Sequence, residues 1–159
     1  MPFTPFHLGP GAAFKAIGGR HFSFLVFAGS QVLMDIEPLV RILRNDAVLH
    51  GYTHTLAGAL AIGGLAAVIG KPISEWVLRK RMTWTAACAG AFIGTFSHIV
   101  FDAVMHADMR PWWPLANGNG LLHVIDIERL HMSCIGLGLL GLAGIAARAL
   151  FRRELASSA

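Results

Sequence analysis

The stretch MTWTAACAGAFIGTFSHIVFDAVM, residues 82–105, holds no Lys or Arg over 24 positions, longer than the roughly 20 apolar residues that cross a bilayer as a helix. Small residues recur at every fourth position, Ala86, Gly90 and Gly94, and the same row runs on into His98 and Asp102. Residues four apart share a helix face, so the face built for close helix contact also carries an imidazole and a carboxylate. Such groups in lipid face a bundle interior and find partners there. The stretch predicts a transmembrane helix with a polar site at its C-terminal end.

Three further segments repeat the apolar pattern. Phe22–Val40 is free of charge up to Met34 and then meets Asp35, Glu37 and Pro38, while Gly51–Gly70 and His131–Leu150 supply the others. Hydrophobic residues make up 55% of the 159-residue chain and charged ones 14%, against about a quarter in soluble domains. A soluble helical bundle would show polar faces at a 3.6-residue period, which long stretches here lack. Ala59, Gly63 and Ala67 in the second span, and Gly136, Gly138, Gly141 and Gly144 in the fourth, are small residues that let backbones approach closely in lipid. The expected fold is all-α, a four-helix transmembrane bundle preceded by a short N-terminal helix. Residues 1–151 form one integral membrane domain and 152–159 a polar tail. A chain this short leaves no room for a separate soluble catalytic domain, so any chemistry shares the helices.

The net charge of +4 is spread in small clusters between apolar segments, with no aromatic-interleaved basic stripe, which argues against nucleic-acid binding. Lys15, Arg20, Lys71, Arg79, Lys80, Arg81, Arg148, Arg152 and Arg153 fall on one side of an up-down arrangement; only Arg41, Arg44, Arg110 and Arg129 fall on the other. The positive-inside rule then places both termini in the cytoplasm and loops 41–50 and 106–130 outside. Cys88 and Cys134 sit among small apolar neighbours and read as core fillers, with no CxxC spacing. The first charge is Lys15, so the start lacks the basic region of a cleaved signal peptide.

Three pairs of polar residues meet at one depth. Asp35 and Glu37 end the first span, His50 and His54 open the second at i, i+4 spacing, and His98 and Asp102 close the third. Asp35 and Glu37 would diverge on a continuous helix, but Pro38 disfavours helical backbone at Glu37 and argues for a break that turns both inward. In an up-down bundle these three ends lie on one side. Imidazole and carboxylate donors without thiolate suit zinc, manganese, iron or nickel; zinc is the default, as one or two ions. The donors outnumber what one structural ion needs, which favours hydrolysis, with Asp35, His50, His54, His98 and Asp102 as ligands and Glu37 or Asp102 as base. His106 continues the 98–102 row as a further donor, Asp108 is placed to orient a ligand, and Arg110 to meet an anionic group. Pro111, Trp112, Trp113 and Pro114 read equally as an interfacial anchor and as a substrate-binding lip. His21, His123 and His131 read as ordinary interface residues.

The order Met-Pro-Phe-Thr-Pro-Phe-His7, Asp35-Ile-Glu37-Pro38, His50-Gly-Tyr-Thr-His54-Thr and His98-Ile-Val-Phe-Asp102 followed by Pro114 resembles the LexA-binding, inner-membrane-associated metal-dependent hydrolases. The resemblance implies a multi-pass protein of a bacterial-type inner membrane, a hydrolytic activity and a LexA-type protein partner. It also implies metal ligation by His7, Asp35, Glu37, His50, His54, His98 and Asp102. Gly51 stands where that family often has Arg, Glu37 replaces a second Asp, and Met105-His106 occupies a place where small or hydroxylated residues are commoner. A ligand at His7 conflicts with a cytoplasmic N-terminus; a re-entrant segment over residues 7–18 turning at Gly18-Gly19, or the opposite orientation, resolves the conflict. The expected function is hydrolysis of a small-molecule or lipid-like ester or phosphoester near the headgroups of the lipid bilayer. The alternative is a non-catalytic metal or haem carrier or a small helical adaptor, although no c-type haem attachment motif is present.

Overall fold

The computed structural model describes residues 5–158; Met1–Thr4 of the opening motif and Ala159 lie outside the described residues. Every regular element among the described residues is helical: α1 (Leu8–Gly18), α2 (Phe24–Leu43), α3 (Leu56–Leu78), α4 (Trp84–Met105) and α5 (Ile127–Ser157), with short 3₁₀ turns at Pro5–His7, Gly19–His21 and Tyr52–His54. Three of these helices, α3, α4 and α5, are long and apolar enough to cross a membrane. Each of α2, α3 and α4 starts on a hydroxyl that accepts a backbone N–H three residues on: Ser23 from Val26, Thr55 from Gly58 and Thr83 from Ala86. Such caps satisfy donors that the first turn leaves unpaired.

Small residues set the packing. Gly90 and Gly94 of α4 lie against the Ser23 carbonyl and the Ser30 side chain, and Gly63 of α3 lies against Phe92 and Thr95 of α4. The row read from the sequence thus seats α2 and α3 on α4, the most enclosed helix. On the opposite face, Gly9 of α1 meets the Cys134 carbonyl of α5, Ala12 meets Gly141 and Ala16 meets Gly144. Rising numbers on one helix match rising numbers on the other, so α1 and α5 run parallel. Gly136 faces open space and takes no part.

This parallel pair corrects the expected topology. Pro5–His7 lies at the end of the bundle where α5 begins, and Arg148 lies at the other, hydrogen-bonded to the Ala16 and Ile17 carbonyls that end α1. His7 therefore reaches the polar end directly. Gly19, at φ 52, takes a left-handed conformation that suits glycine as the chain turns from α1 toward α2.

Two further expectations are corrected. The helix does not break at Pro38: α2 is continuous from Phe24 to Leu43. Proline strands the carbonyl four residues back, here that of Met34, and the Thr53 hydroxyl lies 3.2 Å from that oxygen and can donate to it. Nor do His50 and His54 share a helical turn, since α3 starts only at Leu56. The first free N–H groups of α3 are instead taken by the loop after α4, with Leu56 donating to the Pro111 carbonyl at 2.8 Å and Ala57 to that of Trp113 at 3.5 Å. That loop is thereby tied across the polar end. Helix α5 begins earlier and ends later than the apolar stretch 131–150 and carries the polar residues 152–157 as helix.

Candidate metal centre

Four side chains from α2, the Tyr52–His54 turn and α4 converge at the polar end. Asp35, His54, His98 and Asp102 are buried, each at most 4% exposed. His54 Nε2 lies 3.1 Å from His98 Nε2. Asp102 Oδ2 stands 3.4 Å from the first and 3.2 Å from the second, and Asp35 Oδ1 stands 3.9 and 3.4 Å from them. Donors bound tetrahedrally at about 2.0–2.1 Å from a zinc ion are about 3.3 Å apart, so the spacing is that of a ligand shell.

The proton positions follow from the outer partners. Gln31 donates its amide N–H to the Gly94 carbonyl at 3.1 Å, which leaves its Oε1 2.6 Å from His98 Nδ1. That oxygen only accepts, so Nδ1 carries a proton and the neutral imidazole keeps its lone pair on Nε2. Thr53 Oγ1 has a single proton and lies 2.7 Å from Glu37 Oε2, an acceptor in an ionised carboxylate. The hydroxyl donates there, or to the Met34 carbonyl, and accepts from His54 Nδ1 at 2.9 Å. His54 too then directs an Nε2 lone pair inward. Two imidazole lone pairs facing each other beside two carboxylates repel unless a cation sits among them. Oriented His ligands with hydrogen-bonded outer nitrogens are the usual support of a metal site.

A second group adjoins the first. Donor atoms of His50, Asp102 and His106 lie within 4.8 Å of one another, and the His50 and His106 rings stack with centroids 4.1 Å apart. Asp108 Oδ1 is 2.8 Å from His50 Nδ1, while its Oδ2 accepts the N–H groups of Leu49 and His50 at 2.8 and 3.0 Å. These bonds outweigh burial and hold the Asp108 carboxyl down at about 2. Burial, with the charge of neighbouring His50 next, lowers the His106 imidazole below its ordinary value and keeps it neutral, the form that binds metal. Asp102 belongs to both groups.

His7 sits beside the first group, its Nε2 3.6 Å from Asp102 Oδ1 and its ring edge-on to His98. Both of its ring nitrogens are buried without a hydrogen-bond partner among the described residues, and burial without pairing is unfavourable for a polar atom. An ion accepting one nitrogen would relieve this, so the donor set fits a metal.

Glu37 is placed elsewhere. On the continuous α2 it diverges from Asp35, as the two-residue offset requires, and its Oε1 pairs with Arg41 at 2.8 Å while Oε2 accepts the Thr53 N–H at 2.8 Å. It acts on the group only through Thr53 and His54, not as a base facing it. Sequence reasoning missed Gln31 and Thr53; a polar amide inside an otherwise apolar span was the available signal for Gln31. A cavity of about 510 Å³ opens beside the second group, lined by Arg41, His50, Asp108, Arg110, Trp113 and Asn119. Arg110 and the tryptophan loop thus border the site.

A family model described as the YdjM inner membrane protein matches residues 9–156. The chain belongs to that family. With three apolar helices of membrane-crossing length, it is an inner-membrane protein whose interior holds a His and Asp group able to bind a metal ion. A search of curated proteins and a search of solved structures each returned no match.

Proposed function

We propose that this protein is a membrane-embedded, metal-dependent hydrolase acting on a phosphoester presented at headgroup level. The observation that carries the reading is the 3.1 Å approach of His54 Nε2 to His98 Nε2, with both Nδ1 atoms held outward and two buried carboxylates alongside. Asp35, His54, His98 and Asp102 hold one ion, with His7 as a fifth donor, and His50, His106 and Asp102 hold a second. A divalent ion there, zinc by ligand type, would polarise the ester and lower the pKa of water.

The chain's own residues do the rest. Asp102 Oδ1, the oxygen turned toward His7, takes the proton of the attacking water, while Glu37 positions His54 through Thr53. Arg110 lines the cavity beside His50 and supplies charge for a phosphate, which favours phosphoester over neutral ester. Trp113, its ring 5.6 Å from Tyr52, forms the apolar lip. In this reading α2 is a fourth pass despite its acidic residues, which face partners inside the bundle. The 11-residue α1, about 16 Å long, enters from the site face as a re-entrant segment. The LexA-type partner rests on the family resemblance alone.

A haem held between His54 and His98 is disfavoured, because the macrocycle needs a flat slot where Asp35 and Asp102 stand. A non-catalytic metal carrier is separated by experiment. Purified protein in mild detergent, loaded with zinc or manganese, is assayed on a chromogenic phosphodiester beside Asp102→Asn. Turnover lost in the variant supports the enzyme; a fully loaded wild type without turnover on phosphodiester or phosphomonoester probes leaves the carrier.

A further inference from the structure

At the end of the bundle away from the metal centre, a cavity of about 320 Å³ lies where the C-terminus of α1, the turn after α3 and the last third of α5 meet. Its charged lining residues are Lys15, Arg20, Lys80, Arg148 and Arg152, with no carboxylate among them. Two of these cations are fixed by neutral groups. Lys15 Nζ donates to the Gly19 and Phe22 carbonyls, both at 2.8 Å, and Arg148 donates to the carbonyls of Ala16 and Ile17. Carbonyls orient these side chains without cancelling their charge. Glu75, the acid beside this region, is committed to Lys71 and to the Met82 N–H, each at 2.8–2.9 Å.

Five cations around one cavity repel one another unless an anion joins them, and Arg and Lys donors converging at the mouth of apolar helices match a phosphate. We infer that this cavity binds the phosphate of an anionic lipid headgroup. A lipid is favoured over a free anion because the walls continue into apolar surface along the helices: Ile145 and Ala149 line the cavity, and Ile17, 81% exposed, adjoins it through its carbonyl bond to Arg148. Bound there, the lipid would join α1 to α5 and fix the basic end in the inner leaflet.

The test uses the full chain in mild detergent, with bound lipid counted by native mass spectrometry during titration with phosphatidylglycerol or phosphatidylcholine, and a third arm with inorganic phosphate. The double variant Lys80→Gln, Arg152→Gln removes two lining cations that make no hydrogen bond needed for the fold among the described residues. Arg79→Gln, Arg153→Gln removes two cations at the same end that do not line the cavity. Preferential retention of phosphatidylglycerol, weakened about fivefold for each lining cation lost and unchanged in the second variant, is expected. Equal weakening in both variants, equal retention of the two lipids, or full displacement by millimolar inorganic phosphate would overturn the assignment.

Discussion

Gln31 Oε1 lies 2.6 Å from His98 Nδ1 while the Gln31 amide nitrogen is held by the Gly94 carbonyl. One side chain from α2 thus fixes both the rotation and the tautomer of an imidazole on α4, and α4 itself supplies the carbonyl that prevents the amide from flipping. Removing the amide leaves His98 free to turn and to move its proton to Nε2, where it would block an ion. Gln31→Leu is expected to lower metal affinity about 10–100-fold with little change in secondary structure. Gln31→Glu keeps the acceptor and retains affinity. Competition with a chromophoric chelator reads both.

Thr53 joins the fold to the site through one hydroxyl. It lies within hydrogen-bonding distance of the Met34 carbonyl that Pro38 strands, of Glu37 and of His54 Nδ1. Thr53→Val keeps the shape and leaves buried polar atoms unpaired, which destabilises by about 1–3 kcal/mol. A lower melting temperature in detergent and weaker metal binding should appear together. Thr53→Ser should restore both.

Two glycines separate packing from propensity. A methyl group at Gly94 would run into Ser30 and the Phe27 carbonyl, whereas one at Gly64 meets nothing within 4 Å. Gly94→Ala should destabilise by about 1–3 kcal/mol through overpacking between α2 and α4. Gly64→Ala should be neutral or stabilising by up to about 1 kcal/mol, the helix-propensity difference. Thermal unfolding in the same detergent distinguishes them.

Asp108 makes the site loop sensitive to acid. Its folded carboxyl sits at about 2, below the ordinary value near 3.9, so the native state favours the ionised form. The stabilisation it provides is complete above about pH 4 and is lost as pH falls through about 2. Asp108→Asn should flatten the dependence of stability on pH in that window, measured against wild type by tryptophan fluorescence. An unchanged profile would mean that the His50 contact contributes nothing.

Much of this architecture is legible locally. The 82–105 stretch becomes α4 with its row of small residues against α2, because an apolar run of that length satisfies its backbone polar groups within itself as a helix and small residues permit contact. What escaped depends on partners far along the chain. Pro38 predicts a break from its own neighbourhood, but Thr53 can meet the freed carbonyl from 19 residues away. His50 and His54 read as one helical face, yet α3 starts later because the loop carbonyls of Pro111 and Trp113 cap it at Leu56 and Ala57. Glu37 read as a site acid, but Arg41 one turn on and Thr53 hold it away from the group. The parallel run of α1 along α5 was hidden because charge counting treats residues 5–18 as a cytoplasmic flank, when their small residues pack them along α5.

If His54, His98, Asp35 and Asp102 hold an ion, the protein carries it through purification. Elemental analysis of protein purified without chelator, beside His54→Ala and His98→Ala variants that retain helical circular dichroism, tests it most directly. One or two equivalents of a divalent transition metal are expected in wild type, and about one equivalent fewer in each variant. Wild-type protein carrying only trace metal, even after zinc and manganese are supplied during purification, would contradict it and make the group a hydrogen-bonded lock between helices.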